Sequence, residues 1–190
     1  MKDKLTIFKI IGHFNVVVKH KWKVFRLCCK VGIPMQGLLH DMSKFSPIEF
    51  FESARYYTNG TYSPIRNCKE KKGYSMAWIH HKNHNKHHYE YWYDYNASIP
   101  APIIPFKYVL ELICDSFAAG MTYQGSDWHQ GYQLEYWNRV KDYAVLHPNM
   151  KAFLTKIYEL ESVEGLNSVL KKEKIKSIYD AHTINCLQKN

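Results

Sequence analysis

The sequence predicts an all-α protein built as one domain. Three observations carry that expectation. Apolar residues recur at steps of three and four in successive segments, no alternating apolar–polar run persists, and proline or glycine breaks separate the segments. A chain of 190 residues suits a single domain with an ample core. Hydrophobic content of 46% with 15% aromatic residues marks it as globular.

In residues 4–31, Ile10, His13, Val17, His20, Val24, Leu27 and Val31 share one helical face. One long helix or two abutting helices are expected, with His20 pointing inward and His13 as structural support two turns earlier. Gly32-Ile33-Pro34 breaks the pattern, and a new element starts near Pro34. There Met35, Leu38, Leu39 and Met42 are expected to form the apolar face that carries His40 and Asp41 into the core. Ser46-Pro47-Ile48-Glu49 has the form of a capped helix start, and the helix runs to a stop at Asn59-Gly60. Residues 58–73 read as a polar connection.

Tyr74 to His84 returns to helical spacing, with His80 and His81 about 100° apart on the helix. A continuous helix would make a ladder of His80, His84 and His88. A turn at Asn83-His84-Asn85 would instead let His87 and His88 open the next helix. Three prolines between Ile99 and Pro105 form a stiff connector. From Pro105 or Phe106, Tyr108, Leu112, Asp115 and Ala119 fall at helical steps, so Asp115 is carried toward the core with Glu111 one turn before it. Beyond the Gly125 turn lies an aromatic-rich element, helical from about 132, and then two packing helices over about 149–161 and 162–178. The domain therefore spans 1–178, and residues 179–190 are expected to form a loose C-terminal tail.

The formal charge of +9 favours an anionic partner. Because the lysines are scattered, a small anionic substrate is expected rather than a nucleic acid. Cys28, Cys29, Cys68, Cys114 and Cys186 show no regular spacing, which points to buried thiols in a reducing, cytoplasmic setting. Lys9, His13, Asn15 and Lys19 interrupt the one candidate membrane span, so no membrane partner is expected. Neither a P-loop nor a dinucleotide fingerprint is present, which argues against NTP-driven work. Oligomeric state has no signature in the sequence.

The chemistry-bearing stretch is Gly37 to Phe45, with the pair His40-Asp41 and Lys44 three residues beyond the aspartate. Imidazole and carboxylate suit Zn, Mn, Fe or Ni. An inward aspartate in an apolar setting, as expected for Asp41 and Asp115, needs a cation or a hydrogen-bond network. The histidines and aspartates follow the order H…HD…H…HH…D: His20 upstream, then His40-Asp41, then His80, His81, His84, His87 and His88, and last Asp115.

That order, with His40-Asp41-Met42-Ser43-Lys44, resembles the H-D-x-x-K signature of the HD superfamily of metal-dependent phosphohydrolases. The chain is more closely similar, over roughly residues 13–155, to a bacterial family of unknown function with HD-like helices. The matching stretches are His20 to Phe25, Gly37 to Phe51, Ala77 to His81, His87 to Trp92 and Tyr108 to Gly125.

The resemblance implies an HD-domain-like helical bundle. His20, His40, Asp41 and Asp115 would hold a first divalent transition metal (Mn, Fe, Ni or Zn). Asp41 would bridge to a second ion held by His81, His87 and His88, with His80 a neighbouring candidate. It also implies Asp41 and Lys44 as catalytic residues in hydrolysis of a nucleotide or other phosphate ester, Lys44 contacting a phosphate. The gap between His81 and His87-His88 is shorter than the superfamily's usual two-helix separation. The glycine-tyrosine-proline motif of cyclic-dinucleotide phosphodiesterases is absent, so those substrates are not expected. Two alternatives use the same residues: an HD-like di-iron oxygenase, and a non-catalytic metal-stabilised binding module.

Overall fold

The computed structural model describes residues 3–187, with side chains through Ile184. Helix α1 (Ile7–Lys30) is one continuous helix, capped by the Thr6 hydroxyl, which accepts from the Lys9 amide at 3.3 Å. His13, Val17, His20, Val24, Leu27 and Cys28 form its buried stripe. Gly32, at φ 73°, reverses the chain into the six-residue helix α2 (Pro34–Leu39).

Helix α2 meets α1 through a glycine. A Cβ built on Gly37 would stand 2.5 Å from Cys28 Cβ and 3.1 Å from Phe25 Cα. Contrary to the expectation, Met35, Leu38, Leu39 and Met42 do not enter the core and are each more than half exposed. So short a helix has one face against its neighbour, and the residue small enough for close approach occupies it. Gly37→Ala is therefore expected to destabilise the protein by about 1–3 kcal/mol through overpacking. It should lower the urea midpoint, and an unchanged midpoint would mean that α2 shifts freely on α1.

Ser46 caps α3 (Pro47–Tyr56) as its sequence indicates, its hydroxyl accepting from the Glu49 amide. The expected polar connection contains a helix, α4 (Pro64–Lys72), capped by Ser63, opened by Pro64 and stopped by Gly73 in the left-handed region. Its end signals are conventional, but too few apolar residues lie between them to show a helical period. Ser75 caps α5 (Met76–His84), which stops at Asn85, where the Asn85 side-chain Nδ2 donates to the His81 carbonyl at 2.8 Å. The chain turns here, and His88 leads into a short 3-10 turn, Tyr89–Trp92, rather than a helix.

Helix α6 (Phe106–Gln124) follows the proline connector and buries ten of its nineteen residues. Then come α7 (Tyr132–Val140), α8 (Pro148–Glu164), the single turn α9 (Leu166–Val169) and α10 (Lys172–Leu187). The helix expected over 162–178 is thus divided, because Gly165 at φ 80° ends α8. Nor are residues 179–187 loose. They continue α10, with Tyr179 and Thr183 buried and the Tyr179 hydroxyl donating to the Ile104 carbonyl at 2.8 Å. The remainder of the expected tail, 188–190, lies outside the described residues.

Among the described residues there is no strand. Helices α1 and α10 pack against α6, and α8 packs against α7 and α10. Val24, Ile113, Phe117, Phe153, Ile157 and Ile175 lie at the centre of this core. A second group, α3 with α4 and α5, leans on α1 through α3. Among the described residues no helix is long and apolar enough to cross a membrane. Cys28, Cys68 and Cys114 are free and buried as expected, but Cys29 is exposed, and the Cys186 side chain lies outside the described residues.

Candidate metal centre

His40 and Asp41 are adjacent, and a regular helix would aim them about 100° apart. The chain avoids this by leaving the helix. His40 ends α2 with extended backbone (φ −52°, ψ 131°), and Asp41 takes the left-handed conformation (φ 52°, ψ 34°). Asp41 is the sole non-glycine residue with positive φ among the described residues. Aspartate tolerates that region better than most residues, at a cost on the order of 1–2 kcal/mol. Both side chains consequently point inward and are almost wholly buried. The following 3-10 turn, Met42–Phe45, folds Lys44 back so that its Nζ stands 2.6 Å from Asp41 Oδ2.

The two carboxylate oxygens of Asp41 face different nitrogens. Oδ2 lies 3.1 Å from His40 Nε2 and 4.0 Å from His20 Nε2, whereas Oδ1 lies 3.4 Å from both His81 Nε2 and His87 Nε2. Asp115 Oδ1 adds to the first set, 3.0 Å from His20 and 3.4 Å from His40. His88 adds to the second, its Nε2 2.9 Å from that of His81. Two groups of donors result, His20, His40, Asp41 and Asp115, and Asp41, His81, His87 and His88. A third, overlapping group is His40, His87 and Glu111.

Within each group the donor atoms lie within 4.8 Å of one another. Donors bound at about 2.0–2.2 Å span at most about 4.4 Å across an ion, so little closure is needed. Inside this pocket His20 Nε2, His40 Nε2, His87 Nε2 and both Asp41 oxygens are buried without a well-formed hydrogen bond. Orphaned donors of this kind are costly. A divalent transition ion would satisfy them, and the nitrogen–oxygen donor set fits one.

Carboxylates outside the two groups orient the rings. Glu111 Oε1 accepts from His40 Nδ1 at 2.8 Å and lies 3.1 Å from His87 Nδ1, while Gln36 donates to Glu111 Oε2 at 2.5 Å. Glu49 accepts from His81 Nδ1 at 2.8 Å and from His80 Nδ1 at 2.6 Å. A proton on Nδ1 leaves Nε2 of His40, His81 and His87 as the lone-pair nitrogen facing the site. The spacing of α6 suggested Glu111. Glu49 was hidden, because its place three residues after Ser46 is already explained by helix capping.

His80 belongs to neither group: its ring stacks on that of His84 at 3.9 Å, and His84 is exposed. Burial opposes charge on both His40 and Asp41, yet without a metal Asp41, Asp115 and Glu111 hold His40 protonated. His40 and Lys44 in turn hold the Asp41 carboxyl well below its usual range. A bound ion would take the place of the proton on His40 Nε2. Burial pushes His20 down to about 4, helped by Lys44, and keeps it in the neutral form that binds metals.

A cavity of about 580 Å³ opens onto this centre. His20, Lys44, His81, His88 and Asp115 lie along its inner wall, and Trp78, Tyr123, Tyr132 and Tyr136 supply aromatic surface. Residues of the 58–73 segment, including Tyr62, Ser63 and Arg66, line it too.

His13 also lines the cavity but joins no donor group, and its Nδ1 is buried without a hydrogen bond. Burial, then the Lys44 charge, lowers its pKa to about 4. A histidine held neutral in the fold but charged at 6.5 when unfolded makes stability fall as pH drops from 6.5 toward 4. In metal-free protein, His13→Leu is expected to remove about 2–3 kcal/mol of the stability difference between pH 7 and pH 4.5. Urea midpoints at the two pH values measure it, with His20 unchanged in both proteins. An identical pH dependence in the variant would show that His13 does not titrate in this way.

No curated protein and no solved structure matches the chain. The family of unknown function DUF5662 matches residues 9–160, and the chain belongs to that family.

Proposed function

We propose that the protein is a metal-dependent phosphohydrolase of HD-like type, acting on a nucleotide or another small phosphate ester. The observation that carries this reading is the division of the Asp41 carboxylate between two histidine sets, Oδ2 toward His20 and His40 and Oδ1 toward His81 and His87. That disposition suits a bridging ligand, and the order of residues resembles that of HD enzymes. Divalent ions held there would supply Lewis acidity and a water acidic enough to act as a nucleophile near neutral pH.

The chain's own residues supply the rest. Glu111 and Glu49 lock the imidazole tautomers, so the donors need no reorganisation. Lys44 lines the cavity beside Asp41 and is held charged, because Asp41 and Asp115 outweigh its burial. When substrate enters, the ammonium is placed to move from Asp41 to a phosphoryl oxygen as a point charge. The aromatic wall suits a flat or apolar group carried by the ester. A site with both a cation and a cavity facing its donors favours catalysis over a purely structural metal.

The test is a panel of phosphate esters with protein reconstituted with Mn, Fe, Ni or Zn, with dioxygen uptake as control. Phosphate release is expected, and Lys44→Met should lower kcat by about a hundredfold with metal content unchanged. Oxygen consumption by the iron form without phosphate release would transfer the site to the oxygenase reading. Full metal occupancy with neither activity would leave a binding module.

A further inference from the structure

Apart from the metal centre, the least explained feature of the surface is apolar. Helix α1 carries a second stripe opposite its buried one. Ile7, Ile11, Phe14, Val18 and Trp22 follow at steps of four, three, four and four, and their exposure runs from 44% to 72%. On a helix of 100° per residue they fall within about 60° of Ile11, facing away from His13, His20 and Leu27. The stripe does not end with α1. Phe14 meets Phe45 edge-on at 6.3 Å, and Met42, Leu38 and Leu39 nearby are exposed as well. Scattered exposed apolar residues are ordinary, but a continuous run marks a surface that something covers.

Charge distinguishes the candidates for that cover. Helix α1 contains no aspartate or glutamate. Residues 3–51 hold eight lysines and arginines against three carboxylates, Asp3, Asp41 and Glu49. Asp41 and Glu49 are buried in the metal centre, and Asp3 is paired with Lys71 at 3.0 Å. Exposed Lys19, Arg26 and Lys30 border the stripe on one side, about 60–100° from Ile11. A second copy seated on this face in a two-fold dimer would set basic border against basic border, with no carboxylate to pair. An anionic lipid surface complements both parts of the face. Aromatic and aliphatic side chains enter the boundary between headgroups and acyl chains, and lysine and arginine meet the phosphates.

We propose that the outer face of α1, continued by α2 and the Met42–Phe45 turn, docks the protein on an anionic bilayer surface. The association lies on the membrane and does not span it, in keeping with the absence of any helix able to cross among the described residues. It is independent of the chemistry at the metal centre. A search for spans in the sequence does not register it, because the stripe is interleaved with polar and basic residues.

Co-sedimentation of the full chain with vesicles tests the proposal. Phosphatidylcholine vesicles are compared with vesicles that also contain phosphatidylglycerol, at low and at high salt. Binding to the anionic vesicles is expected at least tenfold tighter than to the neutral ones, and weaker in high salt. Ile11→Glu with Trp22→Glu should lose at least tenfold in binding, and Lys19→Glu with Arg26→Glu should lose the preference for anionic vesicles. All four positions are exposed, so metal content and thermal melting of the variants should match the parent and exclude misfolding. Absence of sedimentation with either vesicle would overturn the proposal. So would a concentration-dependent dimer, seen by light scattering and broken by the Ile11→Glu and Trp22→Glu pair, in protein that ignores lipid, since a second copy would then own the face.

Discussion

Asp41→Ala is expected to abolish metal binding at both groups, because Asp41 is the one residue shared by them. The parent, purified without a histidine tag and reconstituted, should carry about two equivalents of metal on the bridging geometry, and the variant close to none. On the proposed phosphohydrolase reading, activity should fall by about three orders of magnitude, the equivalent of the several kcal/mol that metal ions contribute to phosphoryl transfer. Elemental analysis and a phosphate-release assay on the same preparations measure both. Alanine tolerates this left-handed backbone less well than aspartate and leaves the Lys44 ammonium without its carboxylate partner, so the variant's melting temperature in the absence of metal should fall below the parent's. One equivalent retained in Asp41→Ala would mean that one group binds without the shared carboxylate. Retention of both equivalents would refute the bridging role.

The second large effect separates the two groups. Glu111 holds His40 in the first group and His87 in the second, whereas Glu49 holds His81 in the second alone. Loss of a carboxylate that orients a metal-binding histidine costs about 10–100-fold in affinity. Glu111→Gln is therefore expected to weaken both ions by that factor, and Glu49→Gln only one of them. Competition with a chelator, followed as equivalents retained, gives the two affinities. Burial favours the neutral form of Glu111, but hydrogen bonds from His40 and His87 prevail and hold its carboxyl near a pKa of about 2. Glutamine cannot supply that charge. If Glu49→Gln weakened both ions equally, the two groups would be coupled more tightly than the separate carboxylates imply.

Much of the helical order was legible in the residues. The stripe from His13 to Val31, the Ser46 cap, the three-proline connector and the spacing through Asp115 each specify a local preference that the packed chain retains. Helix α4 was not legible, because its face is polar and only its ends carry signals. The order of residues 179–187 is not legible for a related reason: Tyr179 and Thr183 are buried by what packs on them, which periodicity at a chain end does not reveal.

The sequence by itself determined which residues could hold a metal and in what order they occur, since imidazole and carboxylate donors are recognisable by type. Where α5 stops it left open, since a continuous helix through His88 and a turn at Asn83-His84-Asn85 both fitted; the bond from the Asn85 side chain to the His81 carbonyl marks the turn. Only the tertiary structure decided how those donors divide. The direction of each Asp41 oxygen depends on a left-handed backbone step, and the choice of His81 over His80 depends on how α5 lies against α3. The outward turn of Leu38 and Leu39 depends on Gly37 meeting Cys28. Each of these rests on a close approach between segments distant in the chain, whereas helical periodicity records only a residue's relation to its immediate neighbours.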